Sequence, residues 1–284
     1  MKHRTHILLF LLAILLPLTL SAQGWLELPA SNRNPGKGRV ILEQDMIQDG
    51  VSVRSHTYCY DTNLRVSLWV AYPLNAGLIG NGSRGDGWHP SGLLDEKLQP
   101  NLRRGFAYGS GFDRGHQIPS ADRLDRDINY ETFVYVNAAP QPHDFNGTIW
   151  TDLERLVRTW AKRSDTLYVV TGLIPGSETI ADNDGKPVNV PTHFYKTVLR
   201  RNTDRYGNVH WSMCSVCLPV NERTTNSETW RERTDKLKRY SLSVQQLQQL
   251  THETFFPNLE RYIGKKETDR LRRESPADEK WWWR

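Results

Sequence analysis

Alternating apolar and polar positions in the chain predict a sheet of several strands. Residues 53–73 alternate in the strand manner on both sides of Asp61-Thr62-Asn63, and this arrangement predicts a β-hairpin. Three further apolar runs have the length and composition of buried strands, at residues 165–174, 192–200 and 209–218. The strand signals therefore extend over most of the chain.

Helical periodicity is clearest over residues 146–162. Its apolar positions share one helix face and are Ile149, Leu153, Leu156, Val157 and Trp160. Asn146 precedes them and has the side chain of an N-cap residue. A second, shorter helix is predicted from Ser243 to about Leu250, because Ser243 and Gln246 have the spacing of a capping box.

The segments between these elements are rich in turn-forming residues, above all 74–104 and 176–190. A loop as long as the first is often functional when it lies inside a compact domain. Neither a long linker nor an internal repeat divides the middle of the chain, so one mixed α/β domain is predicted at 51–262, after an N-terminal segment at 23–50. Residues 263–284 are highly charged and predict a poorly ordered tail that is dispensable for chemistry.

The first 22 residues have the pattern of a secretory signal peptide. Lys2 and Arg4 precede an uncharged apolar run at residues 7–20, and Ala22 is a suitable cleavage position. A membrane anchor is the alternative, but a spanning helix needs about 20 apolar residues. We therefore expect an exported protein, periplasmic or secreted, with no membrane span in the mature chain.

Net charge gives little information about the partner of this protein. The 284-residue chain has 37 Lys and Arg against 32 Asp and Glu. Residues 23–260 carry 27 of each sign, so the basic excess lies in the signal segment and the tail. Basicity alone therefore does not predict nucleic-acid binding, although a local basic cleft remains compatible with a neutral body.

The three cysteines are too few for a disulfide scaffold. Cys214 and Cys217 are three residues apart on a predicted strand, where they face opposite sides. Cys59 lies on another predicted strand, and in an exported protein two hypotheses are open: a disulfide between Cys59 and either of these two, or three free thiols.

The segment Asp113-Arg114-Gly115-His116 concentrates chemically useful side chains. His116 is suited to act as a general base near neutral pH. Arg114 presents a planar fork that matches phosphate oxygens. Spacing alone also allows a surface turn in which Asp113 and Arg114 form an ion pair.

Asn146 and Glu154 are oxygen donors of the kind that Mg²⁺ prefers. They are eight residues apart on the predicted helix, which corresponds to a rise of about 12 Å and a rotation of about 80°. Direct binding of one ion by both is therefore excluded, but Glu154 could reach a water molecule of the ion's shell. The alternative is that Asn146 is only a helix cap and Glu154 only a solvated charge.

Together these segments resemble the DNA/RNA non-specific endonuclease family. The D-R-G-H segment is followed by Asn146, Trp150 and Glu154 in the order of the family pattern. Asn137-Ala-Ala-Pro-Gln resembles the family's N-x-x-P-Q, and Pro191-Thr-His-Phe-Tyr-Lys196 resembles its P-T-H-F-(F/Y)-K strand. The resemblance also includes an early strand at residues 66–73 and covers about 50–260.

The resemblance implies an α+β fold with a ββα-metal (His-Me finger) nuclease core and a central, mainly antiparallel sheet flanked by helices. It implies that His116 activates water and that Asn146 is the only direct protein ligand of one Mg²⁺, for which Mn²⁺ could substitute. Glu154 would act through a water molecule. Arg114 would hold the substrate phosphate, with Arg84 of the long loop in a similar role.

The implied activity is hydrolysis of DNA and RNA to products with 5′-phosphates. Asp113 is expected to act as a structural brace. Two other functions remain open from the residues: a non-catalytic nucleic-acid-binding protein with the same fold, and an exported phosphodiesterase that acts on small nucleotides.

Overall fold

The computed structural model describes residues 25–48, 50–107, 109–279 and 281–283. The predicted signal peptide lies outside them. In the described part of the chain the strands are, in chain order, β1 (Arg39–Gln48), β2 (Val51–Asp61), β3 (Val66–Leu74), β4 (Phe112–His116), β5 (Ala138–Pro142), β6 (Thr166–Ala181), β7 (Pro187–Thr203), β8 (Val209–Pro219) and β9 (Ser241–Leu242). The helices are α1 (Ala76–Ile79), α2 (Arg126–Tyr130), α3 (His143–Phe145), α4 (Thr151–Ala161), α5 (Trp230–Arg239), α6 (Val244–Thr251) and α7 (Glu260–Arg273).

Seven of these strands form one antiparallel sheet in the order β1-β2-β3-β6-β7-β8-β9. The predicted hairpin and the three predicted buried strands are all present, as β2–β3, β6, β7 and β8. β4 and β5 form a separate two-stranded sheet. The predicted mixed fold with a mainly antiparallel central sheet is confirmed.

Alternate side chains of the large sheet enter two hydrophobic clusters, one on each face. Val169 belongs to the first, together with Leu153 of α4. Its neighbour Val170 belongs to the second, together with Leu247 of α6 and Leu271 of α7. The sheet is therefore covered by α4 on one side and by the C-terminal helices on the other.

The segment predicted to be turn-rich, 176–190, is mostly strand. β6 continues to Ala181 and β7 begins at Pro187, so only a short turn joins them. Asp182 organises this turn by accepting hydrogen bonds from the backbone N–H groups of Asp184 and Lys186, at 2.9 and 2.8 Å. Sequence alone did not show the strands here because Gly and Pro interrupt their apolar pattern.

The hypothesis of a disulfide is wrong. All three cysteines are free and buried. Cys59 on β2 and Cys217 on β8 share one face, but three strands separate them, which places them about 19 Å apart at normal strand spacing. Cys214 lies in the cluster on the opposite face, as its spacing from Cys217 predicts.

The prediction of a poorly ordered tail is also wrong. α7 buries Leu271 and Arg272, and Trp282 is fully buried. The Trp160 indole N–H of α4 donates to the Trp282 carbonyl oxygen at 2.7 Å, and the two ring centroids are 4.8 Å apart. The terminal tryptophans therefore pack against the helix that carries Glu154, and deletion of residues 264–284 would expose core surface.

We expect Trp282→Ala to lower the free energy of unfolding by about 3–5 kcal/mol, because it empties a fully buried aromatic site. Chemical denaturation followed by fluorescence measures this. Trp230→Ala is the matched control, since Trp230 is 41% exposed on α5, and it should cost less than about 1 kcal/mol. Equal stability of the Trp282 variant and the parent would contradict the packing of the tail.

Candidate active site

The D-R-G-H segment forms most of β4, which pairs antiparallel with β5. β5 is followed at once by the helical run that contains Asn146 and Glu154. Gly115 has to be glycine in this pair, because a Cβ atom there would lie 2.2 Å from the side chain of Gln141. Two strands and a helix thus hold the predicted site residues in one unit.

Asn146 does not cap α4, contrary to the prediction. Helical geometry begins three residues earlier, at His143, so Asn146 lies inside a continuous helical run with φ −60° and ψ −47°. Residues Asn146–Trp150 form a wider, π-helical turn, a distortion that is frequent at functional sites. The Asn146 side chain makes no cap and instead contacts β4.

Asp113 fixes the orientation of the Asn146 amide. Asn146 Nδ2 donates to Asp113 Oδ2 at 2.9 Å, which directs the amide nitrogen to β4 and leaves Oδ1 for another partner. His143 Nδ1 lies 3.1 Å from both carboxylate oxygens of Asp113, and this contact raises the pKa of the exposed His143. Asp113 therefore makes the contacts expected of a brace.

His116 is surrounded by aromatic rings and is neutral. Its ring centroid lies 4.5 Å from that of Trp88 and 4.8 Å from that of Phe133. Burial, followed by the charges of Arg84 and Arg114, lowers the pKa of His116 to about 3. Its Nε2 atom is buried without a hydrogen-bond partner, which is rare in native proteins. A neutral imidazole is the form that can accept a proton.

Two arginines flank His116. Arg114 Nη1 donates to the carbonyl oxygens of residues 102–103 at 2.9 and 3.3 Å, which anchors its guanidinium group. Arg84 projects from the long loop, and its guanidinium carbon lies 5.6 Å from the ring centroid of Phe133. The loop that the sequence marks as functional therefore contributes a cation to the site.

Glu154 lies in a buried polar network, so the alternative of a solvated surface charge is wrong. Its side chain is 14% exposed. Burial raises the pKa of Glu154 to about 7, and Lys196 and Arg158 act in the opposite direction. Arg158 Nη1 lies 4.0 Å from Glu154 Oε2 and 2.9 Å from Asp122 Oδ1. Glu154 is thus a buried carboxyl group held between two cations.

Lys196 is a buried cation of this network to which the sequence assigns no role. Its Nζ donates to Thr171 Oγ1 at 2.6 Å and lies 5.0 Å from the ring centroid of Trp150. Burial lowers the pKa of Lys196 to about 8, and the charge of Glu154 opposes this shift. Its place at the end of the P-T-H-F-Y-K strand is the signal that could have found it.

The oxygen donors of the helical run fit a divalent cation that keeps most of its water. Asn146 offers the neutral oxygen of an oriented amide. Glu154 offers a carboxylate from α4, which directly continues the helical run that contains Asn146. Among the described residues, no group of three or more His, Cys, Asp or Glu side chains is arranged to hold a metal. Sparse protein ligation of this kind is typical of Mg²⁺.

β4, β5 and the helical run bring together a neutral histidine, two guanidinium groups and an oriented amide oxygen. This arrangement defines a nuclease of the ββα-metal class. Comparison with known proteins identifies the family. The chain belongs to the DNA/RNA non-specific endonuclease family, whose model matches residues 39–262. The resemblance seen in the sequence is confirmed, and the chain is an endonuclease of a family of metal-dependent nucleases.

Individual relatives agree with this assignment. A nuclease from Nostoc sp. is 31% identical over 208 residues, which cover 70% of each protein. Mitochondrial endonuclease G from Bos taurus is 35% identical over 159 residues, which cover 51% of this chain and 52% of that protein. In the crystal structure of the EndoG/EndoGI complex, one chain superimposes with a TM-score of 0.54 and 26% identity, covering 78% of this chain and 88% of that one.

Within the described ranges, no helix is long and apolar enough to cross a membrane.

Proposed function

We propose that this protein is an exported, Mg²⁺-dependent endonuclease that hydrolyses DNA and RNA without sequence preference and leaves 5′-phosphates. The observation that carries the proposal is the neutral His116 between Arg84 and Arg114. A proton acceptor flanked by two guanidinium groups suits attack by water on an anionic phosphodiester.

In the proposed mechanism, His116 transfers a proton, and Arg114 and Arg84 stabilise charge on the phosphate. His116 accepts a proton from the attacking water. Arg114, anchored through backbone carbonyl oxygens, holds a non-bridging phosphate oxygen, and Arg84 approaches the same phosphate from the long loop. The bound phosphate offsets the two arginine charges and so raises the pKa of His116 from its value in the free protein, while burial, the larger cause of that low value, opposes the rise.

Asn146 Oδ1 would be the direct protein ligand of the metal, and Glu154 would accept a hydrogen bond from a water molecule of its shell. When bound, Mg²⁺ stabilises the charge that develops on the phosphate and on the leaving oxygen. Mn²⁺ accepts the same oxygen donors and should substitute for it.

Both DNA and RNA are expected substrates. The proposed contacts are to phosphate, which carries no sequence information. Water is the nucleophile, so a 2′-hydroxyl group is not required. Binding should weaken as salt increases, because it depends on neutralising phosphate charge.

Export is supported by the sequence of residues 1–22, with its two basic residues, apolar run and small residue at the cleavage position. We propose that cleavage leaves the N-terminal segment and the nuclease domain at 51–262, followed by the C-terminal helix and tryptophans. Periplasmic extract or culture medium would then contain the processed protein.

Incubation of plasmid DNA and of RNA with the purified protein and Mg²⁺, with and without EDTA, tests the activity. Degradation of both polymers that EDTA abolishes is the expected result. Binding without cleavage would indicate the non-catalytic protein. Hydrolysis of dinucleotides alone would indicate the small-substrate phosphodiesterase, and in either case the proposal would be wrong.

A further inference from the structure

Tyr130, the last residue of α2, presents an aromatic ring to solvent beside the catalytic unit. It is 51% exposed. One face of the ring is covered by His89, with the ring centroids 3.9 Å apart and the planes inclined by 11°. A stacked pair of rings with one face left open has the form of a surface on which a further flat group can stack.

His89, the ring that covers one face of Tyr130, is held in place by hydrogen bonds. His89 Nδ1 lies 3.0 Å from the Pro90 carbonyl oxygen, and His89 Nε2 lies 3.2 Å from the Tyr130 carbonyl oxygen. The backbone of His89 donates to the Phe133 carbonyl oxygen at 3.0 Å and accepts from the Tyr135 N–H at 2.9 Å. Little conformational freedom therefore remains to be lost when a ligand stacks on Tyr130.

The stacked pair is continuous with the walls of the active site. Trp88, which contacts the ring of His116, immediately precedes His89. Phe133, which contacts the other side of His116, follows Tyr130 by three residues in the same segment. The two chain segments that enclose His116 thus also carry the exposed ring and its support.

Tyr130 also lines a groove of about 760 Å³ that runs under the loop of Arg84. Arg126 is a cation in the lining, but Asp86, Asp127 and Glu131 give the groove an acidic character. Carboxylates repel phosphate, whereas a nucleobase is neutral and is not repelled by them. The groove therefore suits a nucleobase, while the backbone phosphate remains on the arginine side.

We propose that Tyr130 forms a stacking subsite for a nucleobase that flanks the scissile phosphodiester. This inference rests on the proposed function, since it concerns the substrate of the same site. Stacking on an aromatic ring tolerates every base, so the subsite adds affinity without adding sequence preference. It favours single-stranded or locally unpaired substrate, in which a base is free to leave its neighbours.

The test compares a single-stranded oligothymidylate with an abasic oligonucleotide of the same length, whose backbone charge is unchanged. Dissociation constants are measured by fluorescence anisotropy in EDTA, which keeps the substrate intact, and KM and kcat are measured with Mg²⁺. For Tyr130→Ala we expect about 5- to 100-fold weaker binding of the oligothymidylate and a similar rise in KM. The kcat value and the weak binding of the abasic strand should change little.

Two further variants separate stacking from general disturbance. Tyr130→Phe keeps the ring and should bind like the parent, whereas Tyr130→Leu keeps apolar bulk and should bind like Tyr130→Ala. Tyr206→Ala is the control, because Tyr206 is 73% exposed in the turn after β7, away from the site. It should bind both strands like the parent.

Equal binding of the oligothymidylate by the parent and Tyr130→Ala would overturn the subsite. An equal loss for the abasic strand would also overturn it, because the loss would then not involve a base. If the parent binds but does not cleave, the proposed nuclease function fails, and the anisotropy measurements in EDTA still decide the role of Tyr130.

Discussion

Replacing His116 with alanine is expected to lower kcat by about 10²- to 10⁴-fold on both plasmid DNA and RNA, the range that a positioned general base contributes. The imidazole is neutral, and its pKa of about 3 means that it stays available as a proton acceptor throughout the neutral range. The loss in kcat/KM, which reports the free enzyme, should therefore be similar at pH 6 and pH 8. Initial rates with Mg²⁺ at limiting and at saturating substrate measure kcat/KM and kcat.

The side chain of His116 lies between Trp88 and Phe133, so its removal leaves a space the size of an imidazole. Added imidazole should restore part of the rate by occupying that space. His210→Ala is the matched control, because His210 is exposed at the start of β8 and pairs with Asp204. Circular dichroism establishes that both variants fold. If folded His116→Ala kept more than about a tenth of the parent rate, another group would be the base.

Most of the sheet could be predicted because each strand buries at least one face in a continuous core. Apolar residues recur with a strand pattern in β2, β3, β6, β7 and β8, and with a helical period in α4. Burial in the core requires this spacing, so the elements can be recognised from the sequence. The burial of the C-terminal tryptophans cannot be predicted from the sequence, because the charged segment around them has no apolar period. Their burial depends on Trp160, 122 residues earlier than Trp282.

The site was predictable only where its residues are close in sequence. The D-R-G-H segment and the Asn146–Glu154 pair are visible as short spacings. The contacts that give these residues their properties join distant positions: Asp113 contacts Asn146 across 33 residues, and Lys196 of β7 lowers the pKa of Glu154 on α4. Such contacts follow from the register of β4 with β5 and the order of the large sheet, which no local pattern encodes.

The second large effect is expected on metal binding, when the oriented amide of Asn146 is removed. Asn146→Ala removes the proposed direct protein ligand, so it should abolish measurable Mg²⁺ binding in calorimetric titration and reduce activity accordingly. Asp113→Ala removes only the group that orients the amide and should weaken Mg²⁺ binding or activity by about 10- to 100-fold, as is usual for residues that support a ligand. His143→Ala should change either quantity little, because it leaves the 2.9 Å contact between Asp113 and Asn146 in place.

The double variant distinguishes a brace from an independent ligand. If Asp113 acts only through Asn146, adding Asp113→Ala to Asn146→Ala should cost almost nothing further, because the amide that it orients is already absent. Additive losses in Mg²⁺-dependent activity would instead show that the Asp113 carboxylate contributes directly to the ion. Unchanged Mg²⁺ affinity and unchanged EDTA sensitivity in Asn146→Ala would place the ion elsewhere, since among the described residues of the strand-and-helix unit no other side-chain amide is oriented by donating its N–H to a carboxylate of β4.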